Sequence, residues 1–130
     1  IGSTITDNHA TGPNSSGGGF RQSPFADDPV TIAGSIIAGN TATTSGPDFL
    51  PDPDNVTVGN SLIGDNSGTT LTAAPVGSPD INGNLIGTSG SLIDPLLGPL
   101  ADNGGATLTH LPAVNSPAVD AVATIVQAVD

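Results

Sequence analysis

The sequence predicts an all-β fold, a parallel β-helix whose coils occupy residues 1–93, followed by an irregular capping segment over 94–130. Three observations predict it. First, a seven-residue motif recurs: Gly2-Ser3-Thr4-Ile5-Thr6-Asp7-Asn8, Gly34-Ser35-Ile36-Ile37-Ala38-Gly39-Asn40, Asn60-Ser61-Leu62-Ile63-Gly64-Asp65-Asn66 and Gly83-Asn84-Leu85-Ile86-Gly87-Thr88-Ser89. Its central isoleucines, Ile5, Ile37, Ile63 and Ile86, are spaced by 32, 26 and 23 residues, and a period of about 20–50 residues marks a solenoid. Second, only 2% of residues are aromatic (Phe20, Phe25 and Phe49). A narrow solenoid interior is filled by Ile, Val, Leu and Ala, without the aromatic bulk that a globular core uses. Third, all twelve acidic residues are Asp. Asp favours turns through short side-chain bonds to the backbone, so these carboxylates read as turn residues first and charges second.

The 130 residues make one domain's worth of chain. Arg21 is the only Arg, there is no Lys, and the net charge is −11. Such a field repels phosphate backbones and anionic membranes, which argues against a nucleic-acid partner. No Cys is present, so no disulfide or thiolate site exists. No apolar run approaches the ~18 residues of a membrane span, so no membrane insertion is expected. Ile1 falls just before a repeat and no Met or signal peptide starts the chain. The expectation is an excised piece of a longer protein.

In chain order, residues 1–8 form the first strand and turn. Residues 9–29 are rich in Gly, Ser, Pro and Asp. They are too long for an ordinary loop and read as one coil with poorly marked strands. Phe20 marks either a strand there or a loop aromatic at the coil's edge. Val30-Thr31-Ile32-Ala33 and Ser35-Ile36-Ile37 are strand-like, with Gly34 at the bend between them. Pro47, Pro51 and Pro53 exclude helix and central strand over 41–55. Asn55-Val56-Thr57-Val58-Gly59-Asn60 is a further strand, and Thr69-Thr70-Leu71-Thr72-Ala73 is the candidate for the next. Pro95, Pro99, Pro112 and Pro117 break up the remainder, whose leucines are expected to fold over the last coil and block its open edge. The apolar residues of Ala118 to Val129 fit a helical face, yet Val and Ile also suit a strand, and period alone does not decide. Asn8, Asn40 and Asn66 share one turn position, where stacked amides can form a ladder or simply occupy exposed turns.

The C-terminal third carries a resemblance. Asn84-Leu85-Ile86-Gly87-Thr88, Asp94-Pro95-Leu96-Leu97-Gly98-Pro99-Leu100-Ala101-Asp102-Asn103-Gly104-Gly105, Thr107-Leu108-Thr109-His110 and Ser116-Pro117-Ala118-Val119-Asp120-Ala121 resemble the choice-of-anchor Q domain. Gly34 to Asn40 and Gly46-Pro47-Asp48 look like the coil that precedes it. The sequence departs from that pattern at Ala106, Asn115 and Val122. The resemblance implies right-handed β-helix repeats, secretion and attachment at a bacterial cell surface. It supplies no catalytic residues.

Candidate chemistry is sparse. Asp48, Asp52, Asp54 and Asn55 form a candidate calcium loop, since Ca²⁺ takes six to eight oxygen ligands; the plainer reading is a solvated Pro/Asp turn. Asp27-Asp28 and Asp52-Pro53-Asp54 are the nearest carboxylate pairs for glycoside hydrolysis, and a lyase has only Arg21 as its cation. A Ser116–His110–Asp120 triad has no nucleophile elbow, and His110 reads as a packing or capping residue. No catalytic residue is assigned. The expected function is that of a structural or adhesive segment of an extracellular bacterial surface protein: a stalk, a cap or an assembly unit. The alternative is the terminal coils of a polysaccharide lyase or glycoside hydrolase. The expected partners are upstream coils or another chain at the N-terminal edge, with self-assembly as one form of this.

Overall fold

Short pairs of β-branched and aliphatic residues make the strands. The computed structural model describes residues 1–23, 29–52 and 55–119. Among them are twelve strands and no helix, so the chain is all-β. In order they are β1 (Thr4–Ile5), β2 (His9–Ala10), β3 (Phe20–Arg21), β4 (Val30–Ala33), β5 (Ile36–Ile37), β6 (Thr41–Ala42), β7 (Phe49–Leu50), β8 (Val56–Gly59), β9 (Leu62–Ile63), β10 (Leu85–Ile86), β11 (Leu97–Ala101) and β12 (Thr109–Pro112).

One rule governs the first nine. Each of β1 to β5 pairs in parallel with the strand four places later, and β10 then adds to β9. The result is one four-stranded parallel sheet, β1-β5-β9-β10, and three two-stranded parallel sheets, β2-β6, β3-β7 and β4-β8. In the larger sheet Ile5, Ile37, Ile63 and Ile86 stand in register, and so do Thr4, Ile36, Leu62 and Leu85. The alignment of the four sequence motifs is borne out.

At β9 and β10 that sheet is buried on both faces, which explains why these strands read as apolar pairs rather than as an alternation, whereas at β1 Thr4 is exposed. Ile37, Ile63 and Ile86 point into one cluster with Ile32, Phe49 and Val58, and Ile5 packs against it half-buried. The opposite face holds Leu62 and Leu85 under Ile93, with Ile36 and Ala118 packed beside them. Phe20 resolves as a strand residue. It pairs with Phe49, and the two rings lie 5.4 Å apart at 45°.

A left-handed residue precedes every strand of the large sheet: Gly2 (φ 60°), Gly34 (57°), Asn60 (48°) and Gly83 (76°). Glycine adopts this conformation without steric cost and Asn tolerates it. At Gly34 the chain turns from β4 into β5 within two residues, which brings Ile32 and Ile37 into one cluster.

Several expectations are corrected. Residues 69–73 form no strand; Leu71 packs against the core, and Ala74 makes an isolated antiparallel bridge to Ile86. Over 41–55, by contrast, no central strand forms among the described residues, as the prolines led one to expect: Thr41–Ala42 lies ahead of Pro47 and Phe49–Leu50 between Pro47 and Pro51, each two residues long and in a two-stranded sheet with a single partner. Residues after 93 are less irregular than expected, since β11 and β12 form an antiparallel hairpin. Pro99 is accommodated where the register shifts between Leu97 and Leu100. That hairpin does not close the last strand. Ala74 bridges the outer edge of β10 and Leu71 packs against the core, while Ile93 and Ala118 cover the outer face at Leu62 and Leu85 and the hairpin borders a groove beside β1. The helix-or-strand alternative for 118–129 lies almost wholly outside the described residues.

Candidate functional site

The polar residues of the four motifs build two hydrogen-bond ladders. In the first, the backbone N–H before each strand donates to the side chain of the next motif. Ser3 N–H donates to Ser35 Oγ (3.2 Å), Ser35 N–H to Ser61 Oγ (3.2 Å) and Ser61 N–H to Asn84 Oδ1 (3.1 Å). Ser35 and Ser61 each donate back to a carbonyl two residues earlier, Ala33 and Gly59. Asn84 is anchored by Asp80, whose carboxylate accepts Asn84 N–H, Asn84 Nδ2 and Asn82 N–H. Partial burial opposes the charge on Asp80, but these three bonds outweigh it and hold its carboxyl below the ordinary range.

The second ladder begins at Asn8. Its N–H and Nδ2 both donate to Asn40 Oδ1, at 3.1 and 2.9 Å. Asn40 repeats the pattern towards Asp48 Oδ1, at 2.9 and 3.0 Å, and also donates from Nδ2 to the Ile5 carbonyl. Asp65 N–H donates to Asp48 Oδ2 at 2.8 Å. Asp48 is 2% exposed. Burial pushes its carboxyl up, against the lowering effect of the bonds from Asn40 and Asp65. Among the described residues no buried side-chain nitrogen or oxygen lacks a partner. The first ladder runs one way, donors on the earlier motif and acceptors on the later, and the Asn8-to-Asn40 step follows the same sense; beyond Asn40 the bonds converge on Asp48 from both sides.

Asn66 leaves the expected amide ladder. Its Nδ2 donates to the Leu71 carbonyl, and Asp48 takes the place it would have filled. The serines of the first ladder and the interior position of Asp48 were missed at the sequence level. Ser3, Ser35, Ser61 and Asn84 do stand at one motif position, directly after the left-handed residue, and that recurrence is the signal that finds them.

Of the candidate calcium residues, Asp48, Asp52 and Asn55 lie among the described residues. Both oxygens of Asp48 accept N–H groups. Asp52 accepts Asn55 N–H through its backbone carbonyl, and its own N–H donates to Gln22. Asp54 lies outside the described residues, and so does the Asp27-Asp28 pair. Among the described residues no group of three His, Asp or Glu side chains is placed to hold a metal. His110 Nδ1 pairs with the Gly98 carbonyl at 2.7 Å, while Ser116 Oγ, buried, donates to the Pro95 carbonyl. These two bond to different partners inside the 93–118 segment, and Asp120 lies outside the described residues. No helix of the described residues is long and apolar enough to cross a membrane.

The hairpin and β1 border an open groove of about 770 Å³, lined by Thr4, Ile5, Asn8, Leu100, Leu108 and His110 among others. A smaller cavity, about 450 Å³, lies between Asp48, Asp65 and the Leu92–Pro95 segment. No family model matches the chain, and no curated protein or solved structure is significantly similar to it.

Proposed function

We propose that this chain is a non-catalytic structural segment of an extracellular bacterial surface protein, formed by coils of a right-handed parallel β-helix. The observation that carries the reading is the four-stranded parallel register of the motifs, with Ile5, Ile37, Ile63 and Ile86 on one face and a polar ladder on each flank. In such a molecule each strand completes the hydrogen bonding of its neighbours. Rigidity comes from repetition, since each repeat contacts only the next. The likeness of residues 30–121 to the choice-of-anchor Q domain adds secretion and surface attachment to the reading, and the net charge of −11 suits a soluble exterior.

Two measurements test it. An antibody raised against the chain is applied to intact cells of the source organism. Labelling of unbroken cells is expected, and labelling only after lysis overturns the location. The purified chain is incubated with neutral and uronic-acid polysaccharides while reducing ends and unsaturated uronates are followed. Product formation that survives repurification would replace the structural reading with an enzymatic one.

A further inference from the structure

We propose that the β1 edge is a recognition site for one kind of partner: a non-acidic extended segment that carries the same seven-residue motif and adds in parallel. This rests on the coil-stack reading above.

The backbone sets the first requirement. Ser3 and Ile5 carbonyls accept from Ile36 and Ala38 of the next repeat. Groups alternate sides along a strand, so the Thr4 N–H and C=O and the Thr6 N–H face away from β5, towards the groove. The side chains set the second requirement. The acceptors that the ladders use between later repeats, Ser35 Oγ and Asn40 Oδ1, have counterparts at the edge in Ser3 Oγ and Asn8 Oδ1. An arriving strand must therefore present donors: a backbone N–H above Ser3, and an N–H with a side-chain amide above Asn8. Gly or Asn, then Ser or Asn, any residue, an aliphatic residue, a small residue, any residue and Asn meets this requirement. Its aliphatic side chain lands on Ile5, which is only half-buried now.

The hairpin supplies the third requirement. Leu100 and Leu108 are 56% and 57% exposed and border the groove with Thr4. They stand ready to cover the outward side chain of an added strand, as Ile93 and Ala118 cover the outer face lower down. Asp7, exposed at the end of β1, and the net charge of −11 disfavour an acidic arrival.

A second copy does not fit. Its far edge is closed, because the N–H and C=O of Ile86 already bond Ala74 at 2.8 and 2.9 Å. Two β1 edges meeting head to head set acceptor against acceptor at Ser3 and Asn8, an arrangement that selects against the wrong partner.

The test appends a copy of residues 30–43 ahead of Ile1 in the full chain, through a Gly/Ser linker of about twenty residues, which raises its local concentration to the millimolar range. Amide hydrogen exchange is then read by residue. The expected result is exchange at Thr4 and Thr6 slowed by about tenfold or more relative to the unextended chain. The matching copy is expected to lose that protection when it carries N40A, which removes its amide donor, and the receiving chain carries S3A and N8A, which remove the two edge acceptors. Equal protection in the substituted chain, or none in the unsubstituted one, overturns the proposal. The amides of Ile36, Leu62 and Leu85 report separately on the stack: if they exchange freely, the coil reading fails; if they are protected while Thr4 and Thr6 stay open, only this inference fails. Concentration-dependent dimerisation of the unextended chain with protection at Thr4 and Thr6 overturns it in favour of a second copy.

Discussion

Replacing Asp48 with Ala removes the centre of the second ladder. Its carboxylate accepts three hydrogens, from Asn40 N–H, Asn40 Nδ2 and Asp65 N–H. Asn40 and Asp65 are 5% and 7% exposed, so water does not readily replace the lost acceptor. Two buried backbone donors and one amide hydrogen are left unmet, each at about 1–3 kcal/mol. Release of a carboxylate whose burial disfavours its charge returns some of this, and the expected net loss is about 3 kcal/mol at neutral pH. Asp48→Asn keeps one acceptor oxygen for Asn40 but turns an amide donor towards Asp65 N–H, so about 1–2 kcal/mol is expected. Urea unfolding measures both. With a slope of about 1.5–2 kcal/mol/M, the Ala variant's midpoint falls by about 1.5–2 M. The pH dependence has a definite sign. The folded-state pKa of Asp48 lies above its unfolded value. The group's contribution is therefore fully present below the unfolded pKa and is lost as pH rises through the folded one. The stability gap between wild type and Asp48→Ala should widen on going from neutral pH to about pH 4. A loss below about 1 kcal/mol, or a gap that narrows on acidification, refutes the reasoning.

Ser61→Ala takes the acceptor from the Ser35 N–H and should cost about 1–2 kcal/mol, while Ser3→Ala, which no ladder N–H contacts, stays within about 0.5 kcal/mol; equal losses in urea melts would remove the ladder's role. Gly87→Ala drives a methyl group into the Gly64 carbonyl and Ile93 N–H, both backbone, and should reach the upper end of about 1–3 kcal/mol. Gly34→Ala meets nothing within 4 Å and loses only the left-handed allowance, about 1 kcal/mol, so thermal melts should rank it the milder change. The folded-state pKa of Asp80 is lowered, so its contribution is present above the unfolded value near 3.9 and lost as pH falls through the folded one. Asp80→Asn should trail wild type at neutral pH and converge with it in strong acid, as denaturant titrations at several pH values will read. Millimolar calcium and a chelator should give the same melting temperature; a rise with calcium would restore the Asp48–Asp52–Asp54–Asn55 loop as a site.

The parallel register was legible because the motif repeats its chemistry at a fixed place: an isoleucine between a left-handed turn and a small residue leaves one way to align the four copies. Phe20 was half legible, since its partner Phe49 sits in a proline-rich stretch without strand periodicity. The Leu71–Ala74 plug was not legible, because a single antiparallel bridge leaves no pattern of alternation. Nor was the role of Asp48. Its partners Asn40 and Asp65 are 8 and 17 residues away, and nothing local separates a buried bracing carboxylate from an exposed turn Asp. The path of the hairpin depends on a face, Leu62 with Leu85, that both the Ile ladder and the outer cluster claim until the register is known.

The placement of residues 93–118 gives the molecule a mechanical grain. A load applied across the sheet, from β1 towards β10, peels strands only two residues wide and breaks few bonds at a time. The hairpin segment runs beside that line. It is fixed near β9 by the Ile93 N–H on the Gly64 carbonyl, and at its other end Leu100 and His110 border the groove beside β1. It works as a lengthwise brace in parallel with the weak direction, so tension must strip Ile93 and Ala118 from the sheet before the strands can separate in succession. Force spectroscopy along this axis should meet one initial yield followed by small steps, and cutting the chain between 93 and 97 should abolish the first.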